Sequence, residues 1–182
     1  TYYYRVRASN SAGNSGYSNE DNAYPPPTIQ ICDDGDSCFD SVGFQRYFAA
    51  GYEGYEEDVH FAPAGNGSAM ATWTFDVTPG RYRVSATWVA HRNRATDAPY
   101  TIFDGTTALS TVRVSQEQPP NDFEDPQDTW WEDLDEPDGG PDTVPTYEIT
   151  GDTLVVKLTN DANEYVIADA VRIERVQPPL PG

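Results

Sequence analysis

The strongest constraint on the fold is the alternation in the run SAMATWTFDV. Ala69, Ala71, Trp73, Phe75 and Val77 are apolar, and Ser68, Thr72, Thr74 and Asp76 between them are polar, with Met70 the one misfit. Successive side chains of a β-strand point to opposite faces, so this run reads as a strand with one face in a core and the other in water. After Thr78-Pro79-Gly80 the phase switches: Tyr82, Val84, Ala86 and Trp88 share one face, and Arg81, Arg83, Ser85 and Thr87 share the other. Joined by a Pro-Gly turn, the two runs read as an antiparallel hairpin.

Shorter runs of the same kind follow. Residues 100–103 turn through Asp104-Gly105 into 106–109, then come 111–114, then 147–149 turning through Gly151-Asp152 into 154–158, and finally 165–173. Asp-Gly favours a tight turn because both residues tolerate positive φ. No long stretch sustains helical spacing. Many short strands and frequent turns predict an all-β fold, an antiparallel β-sandwich rather than an open parallel sheet.

The first twenty residues, TYYYRVRASNSAGNSGYSNE, read as a separate hairpin. The stretch DNAYPPPT behind them carries three consecutive prolines, which lack an N–H and favour extended geometry. The expected division is a hairpin at 1–22, a Pro-rich linker at 23–27, a sandwich at 28–176 and a Pro-rich tail at 177–182. A two-stranded hairpin is marginal alone in water, and its unpaired edges can accept another strand. Residues 1–22 are therefore expected to pair with another copy of the chain or with other domains of the same protein.

Eleven Lys and Arg stand against 30 Asp and Glu, for a net charge of -19. Phosphates would be repelled, so nucleic acid and anionic membrane surfaces are excluded as partners. No apolar run approaches the roughly 18 residues a membrane span needs, so no membrane insertion is expected. The acidity invites cations instead.

Three groups of residues are candidates for binding. Asp33, Asp34 and Asp36 surround Gly35 and offer the hard oxygens that calcium takes, although EF-hand spacing is missing and an Asx-rich turn is the other reading. Glu53, Glu56, Glu57 and Asp58 form a second carboxylate run. No cofactor is required by the sequence, and calcium is the one it could use. Sugar-binding surfaces stack aromatic rings on sugar faces, and the candidates for such a platform are Trp130, Trp131, Tyr52 and Tyr55. Trp73 and Trp88 keep strand phase and read as core. Trp130 and Trp131 sit in an acidic segment, 117–142, with 11 carboxylates and no Lys or Arg. Its aromatic residues argue against a wholly solvated loop.

Cys32 and Cys38 can close a small disulfide loop in an oxidising compartment or stand as two thiols. A zinc site would need two more soft ligands, and His60 and His91 are the only histidines. Asp169 lies in the apolar strand VIADAV and needs a partner. Arg94 of HRNRATDAPY is the candidate for a structural ion pair with it, the alternative being a polar pocket at one end of the sandwich. Asn66-Gly67-Ser68 matches a glycosylation sequon. There is no nucleophile motif, phosphate loop or zinc motif, so no enzyme is expected.

Two resemblances add to this. YYYRVRASNSAG followed by SGYSN resembles the last two strands of a fibronectin type III module, which makes the hairpin a remnant of such a module. Residues 28–176 resemble the golvesin C-terminal-like domain, also found beside xanthan-lyase-type proteins, through IQICDDGDSCF, ATWTFDVTPGRYRVSATW, HRNRATDAPYTI and YVIADAVRIERV. That resemblance implies a jelly-roll-like sandwich that is secreted, extracellular or cell-surface, and non-catalytic. DEPDGGPDTVPT stands where the family commonly has a short connection. Two functions are therefore expected. The first is a structural or adhesive module of a bacterial surface protein, a fibre or filament subunit joined through its hairpin. The second is a carbohydrate-binding accessory module of a secreted polysaccharide-degrading enzyme.

Overall fold

The computed structural model describes residues 2–4, 7–11, 13–16, 21–23, 28–49, 53–134 and 146–176. The chain divides into two compact units with the boundary between Thr28 and Ile29. In the N-terminal unit β1 (Tyr2–Tyr4) pairs antiparallel with β4 (Asp21–Ala23), and β2 (Ser9–Asn10) pairs with β3 (Gly13–Asn14).

The second unit runs β5 (Ile29–Cys32), β6 (Phe39–Val42), β7 (Gln45–Phe48), a 3-10 turn at Tyr55–Glu57, β8 (Asp58–Ala62), β9 (Met70–Asp76), β10 (Gly80–Ala86), β11 (Ala98–Asp104) and β12 (Thr107–Val114). It continues with β13 (Phe123–Glu124), β14 (Trp130–Asp133), β15 (Tyr147–Ile149), β16 (Thr153–Thr159), β17 (Val166–Ala168) and β18 (Val171–Val176). One sheet has the order β13-β14-β10-β18-β5, with β15 sharing an edge of β10 with β14. The second has the order β12-β11-β16-β9-β6, and a smaller third has β17-β8-β7. The pairings of all three are antiparallel.

The alternating runs around Trp73 and Val84 form strands, but they do not pair with each other. β9 lies in the second sheet and β10 in the first. Ala71, Trp73 and Phe75 meet Tyr82, Val84 and Ala86 in one core, so Thr78-Pro79 carries the chain from sheet to sheet. Alternation reports only that each strand has a buried face, and two facing strands satisfy it as well as two neighbours. The same correction applies to β15 and β16, which Gly151-Asp152 joins across the two sheets. Of the three turns read from the sequence, Asp104-Gly105 alone closes a hairpin, β11 on β12, with Gly105 at a φ of 57°. The run 165–173 breaks at Asp169-Ala170 into β17 and β18, in different sheets.

Two buried amides hold the connections. Gln116 is fully buried; its Nε2 donates to Ile167 O at 2.7 Å and its Oε1 accepts from Ile167 N at 2.8 Å. The side chain thus stands in for a neighbouring strand beside β17. Asn160 Oδ1 accepts from Gly67 N and Ala69 N, both at 3.1 Å, and its Nδ2 donates to Pro63 O at 3.0 Å. Cys32 and Cys38 are joined as a disulfide. Among the described residues no helix is long and apolar enough to cross a membrane.

Candidate functional site

The acidic segment contains a hairpin, β13 and β14, organised by one carboxylate. Asp125 is buried; its Oδ1 accepts from Gln127 N at 2.9 Å and Thr129 N at 3.0 Å, and its Oδ2 accepts from Trp131 Nε1 at 2.9 Å. Burial alone would raise this carboxyl group, but the three donors outweigh it and hold it below the usual carboxylate range. Adjacent strand residues face opposite ways, so the hairpin sends Trp131 inward and Trp130 outward. Trp131 is 0% exposed and Trp130 46%. Trp131 is therefore core and no part of a sugar platform. Its ring packs against that of Tyr55 at 6.0 Å.

Tyr55 and Trp130 line one groove of about 620 Å³, together with Trp88, Pro119 and Pro120. Trp88 Nε1 donates to Gln118 O at 2.8 Å, fixing the start of the Pro119-Pro120 loop. Glu53, Glu56 and Asp128 place carboxylates around the same groove. Among the described residues three non-glycines have positive φ, Glu56 at 51°, Glu57 at 71° and Asp128 at 63°. Two of them line the groove and the third adjoins it. Such backbone costs about 1–3 kcal/mol per residue and concentrates at ligand sites. Burial, followed by the charge of Glu56, raises the Tyr55 phenol, which stays a neutral hydrogen-bonding group. Tyr52, the fourth platform candidate, lies outside the described residues.

The loop bearing Tyr55 is pinned from beneath. Tyr55 N donates to Asp169 Oδ1 at 3.0 Å, and a Cβ on Gly54 would stand 2.1 Å from Asp58 O, so the close approach requires glycine. Asp169 does not pair with Arg94. Its carboxylate takes the Tyr55 amide, while Arg94 Nη1 donates to Asn93 Oδ1 at 2.9 Å. Arg94 instead lines a separate pocket of about 400 Å³ with Tyr47, Phe61 and Tyr165.

Asp169 belongs to a buried group of acids. Asp33, Asp34, Asp58 and Asp169 are 2%, 3%, 1% and 2% exposed. Oxygens of Asp33, Asp34 and Asp58 lie within 4.8 Å of one another. Burial, then the charges of Asp34 and Asp33, pushes the Asp169 carboxyl far above its ordinary range. Burial followed by Asp34 raises Asp33 to about 7, and burial raises Asp34 despite His60. His60 Nδ1 lies 2.7 Å from Asp34 Oδ2, and Arg46 Nε donates to Asp58 Oδ2. Asp36 faces solvent, its Oδ2 accepting from Asp33 N at 3.1 Å, so it orders the loop and takes no place in the cluster. Of the second carboxylate run only Asp58 turns inward. Asp169 stands out in the sequence as the one acid of the apolar stretch VIADAV, whereas nothing in the sequence separates Asp58 from Glu53, Glu56 and Glu57.

Comparisons with known proteins bear on this site. Residues 46–123 match the family model of the Golvesin C-terminal domain, a stretch that includes Tyr55, Asp58 and Trp88 and ends before Trp130. The N-terminal segment lies outside that match. The structure is similar to Paenibacillus xanthan lyase, with 26% identity and a TM-score of 0.63 over 82% of this chain and 13% of the lyase. The chain thus spans about an eighth of that enzyme's length. It is also similar to a family 35 carbohydrate-binding module from Cellvibrio japonicus Abf62, with 13% identity and a TM-score of 0.52 over 80% of this chain and 92% of the module. That second likeness is one of fold. No curated protein matches the chain. These likenesses lend no support to a fibre or filament role.

Proposed function

We propose that this chain is a non-catalytic, extracellular carbohydrate-binding module that serves a larger polysaccharide-acting protein, and that it holds sugar rings in the groove between Tyr55 and Trp130. The observation that carries the reading is the pairing of a half-exposed indole, Trp130, with strained acidic loops that a soluble core does not need. Trp130 offers a face for sugar C–H groups, and Tyr55 offers a second ring and a hydroxyl. Glu53, Glu56 and Asp128 accept from sugar hydroxyls. Because the groove and the whole chain are acidic, the substrate is an uncharged polysaccharide rather than a polyanion. The likeness to part of a xanthan lyase and to a carbohydrate-binding module supports the class of function, and the disulfide suits secretion.

The test is retention on a panel of insoluble polysaccharides and on gels cast with soluble ones, neutral glucans, mannans and xylans beside anionic xanthan and pectate. At least one neutral polysaccharide should hold the protein. Retention only by anionic polymers would overturn the uncharged assignment, and no retention at all would overturn the function.

A further inference from the structure

The buried acids beneath the groove pose a problem of charge that the protein alone does not solve. Asp33 and Asp34 follow β5 inside the disulfide loop, Asp58 opens β8, and Asp169 separates β17 from β18, so three distant stretches deliver carboxylates to one interior spot. The facing cations are few. Arg46 reaches Asp58 from a side chain that is 58% exposed, and His60 touches Asp34. Four carboxylates against one guanidinium leave a large negative excess even with His60 protonated, and uncompensated buried charge is strongly disfavoured. Two oxygens, Asp33 Oδ1 and Asp34 Oδ1, are buried with no hydrogen-bond donor at all. Buried acceptors without donors are rare and call for an unseen partner.

We infer that Asp33, Asp34 and Asp58, backed by Asp169, form a site for a calcium ion. The donors are hard oxygens at the close spacing a single ion needs. Zinc is a poor fit, because both cysteines are consumed by the disulfide and the Nδ1 of His60 is engaged. Magnesium, which demands near-ideal octahedral geometry and keeps several waters, fits a buried multi-carboxylate site less well. The ion also acts at a distance: by holding Asp169 as a carboxylate it strengthens the acceptor for Tyr55 N–H and fixes one wall of the groove. This last consequence rests on the carbohydrate-binding reading; the ion site itself does not.

The experiment uses the full chain at about pH 7.5 without saccharide, so its outcome is separate from that of the polysaccharide panel. Chelator-treated protein is melted across a calcium titration, and terbium luminescence is read through the nearby aromatics, of which Trp73 donates its indole N–H to Asp169 O. Calcium at about 100 times its dissociation constant should raise the melting temperature by roughly 5–10 °C. Terbium should luminesce and be displaced by calcium. The calcium-induced shift should vanish in Asp34→Asn and in Asp169→Asn, whatever their own melting temperatures. A wild-type melt that ignores both calcium and chelator, with no terbium signal, would show the acids neutralised by protons and overturn the site. A full calcium response in both variants would place the ion elsewhere, and an equal response to magnesium would overturn the choice of calcium.

Discussion

The backbone N–H of Tyr55, on the wall of the groove, donates to Asp169 Oδ1 at 3.0 Å, so a residue between β17 and β18 sets the position of one 114 places earlier. Asp169→Asn separates the two demands on this carboxylate. In chelator at neutral pH the variant no longer buries an acid that must either stay charged among other carboxylates or take up a proton, and it should melt above the wild type. In calcium it lacks a charge that holds the ion and should melt below it. Thermal melts in the two buffers check the crossing; the same order in both would contradict it.

Trp130 and Trp131 should respond oppositely to truncation. Trp131→Ala empties a fully buried site and removes the donor to Asp125 Oδ2, at a cost of about 3–5 kcal/mol. Trp130→Ala touches an exposed ring and should change stability by no more than about 0.5 kcal/mol. Urea unfolding of both variants provides the comparison.

Acidity should stabilise the calcium-free protein over the weakly acidic range. Folded Asp33 takes its proton at about 7 against 3.8 in the unfolded chain, and Asp34 and Asp169 move the same way. The folded state binds these protons more tightly, so their contribution is complete below about pH 4 and is withdrawn as the pH rises through about 7. Melting temperature in chelator should therefore fall between about pH 5 and pH 8. Calcium competes with the same protons, so the rise it causes should be small at the acid end and large at the basic end. A flat profile in chelator would show that the carboxylates do not interact as described. The groups facing one another here are Asp33, Asp34, Asp58, Asp169, Arg46 and His60.

Much of the sandwich is legible in the sequence, because period-two alternation marks each strand with a buried face. What alternation does not carry is which strand is the neighbour, and so β9 and β10 read as a hairpin although they face each other across the core. The candidate groove is half legible. Tyr55 and Trp130 stand out as loop aromatics, but strand phase alone would have separated Trp130 from Trp131 once Trp130–Asp133 is seen as a strand. Asp125 is hidden among 11 carboxylates of 117–142, since the sequence does not show which acid turns back on its own backbone. Arg94 and Asp169 are each unusual in their surroundings, which made them look like partners. Arg94 has Asn93 and Asp169 has the Tyr55 amide, contacts made by the backbone path that composition does not report.

Gln116 should matter to stability more than its polar type suggests. Gln116→Leu keeps the volume but leaves the Ile167 N–H buried without its acceptor, the Ile167 C=O with only the 3.5 Å contact from the Tyr100 hydroxyl, and that hydroxyl without the Gln116 donor, at a cost of about 2–5 kcal/mol. Gln116→Glu, which keeps an acceptor for Ile167 N and loses the donor to Ile167 O, should not rescue it. Denaturant unfolding of the two variants gives the numbers.

Reduction of Cys32–Cys38 should cost about 2 kcal/mol, the loop-closure value for so short a separation. Because Asp33, Asp34 and Asp36 sit inside the loop, reduction should also lower calcium affinity. Melting in the presence and absence of a thiol reductant, each with and without calcium, reads both effects.

On the proposed reading, sugar binds in the groove between Tyr55 and Trp130. The most direct test of this claim is side-by-side migration of the wild type and Trp130→Ala through gels cast with the uncharged polysaccharides that retain the wild type, in calcium buffer. The wild type should be retarded, and Trp130→Ala should run as in a gel without polysaccharide while keeping the wild-type melting temperature. Equal retardation of the two proteins would contradict the claim by placing the binding surface elsewhere on the sandwich.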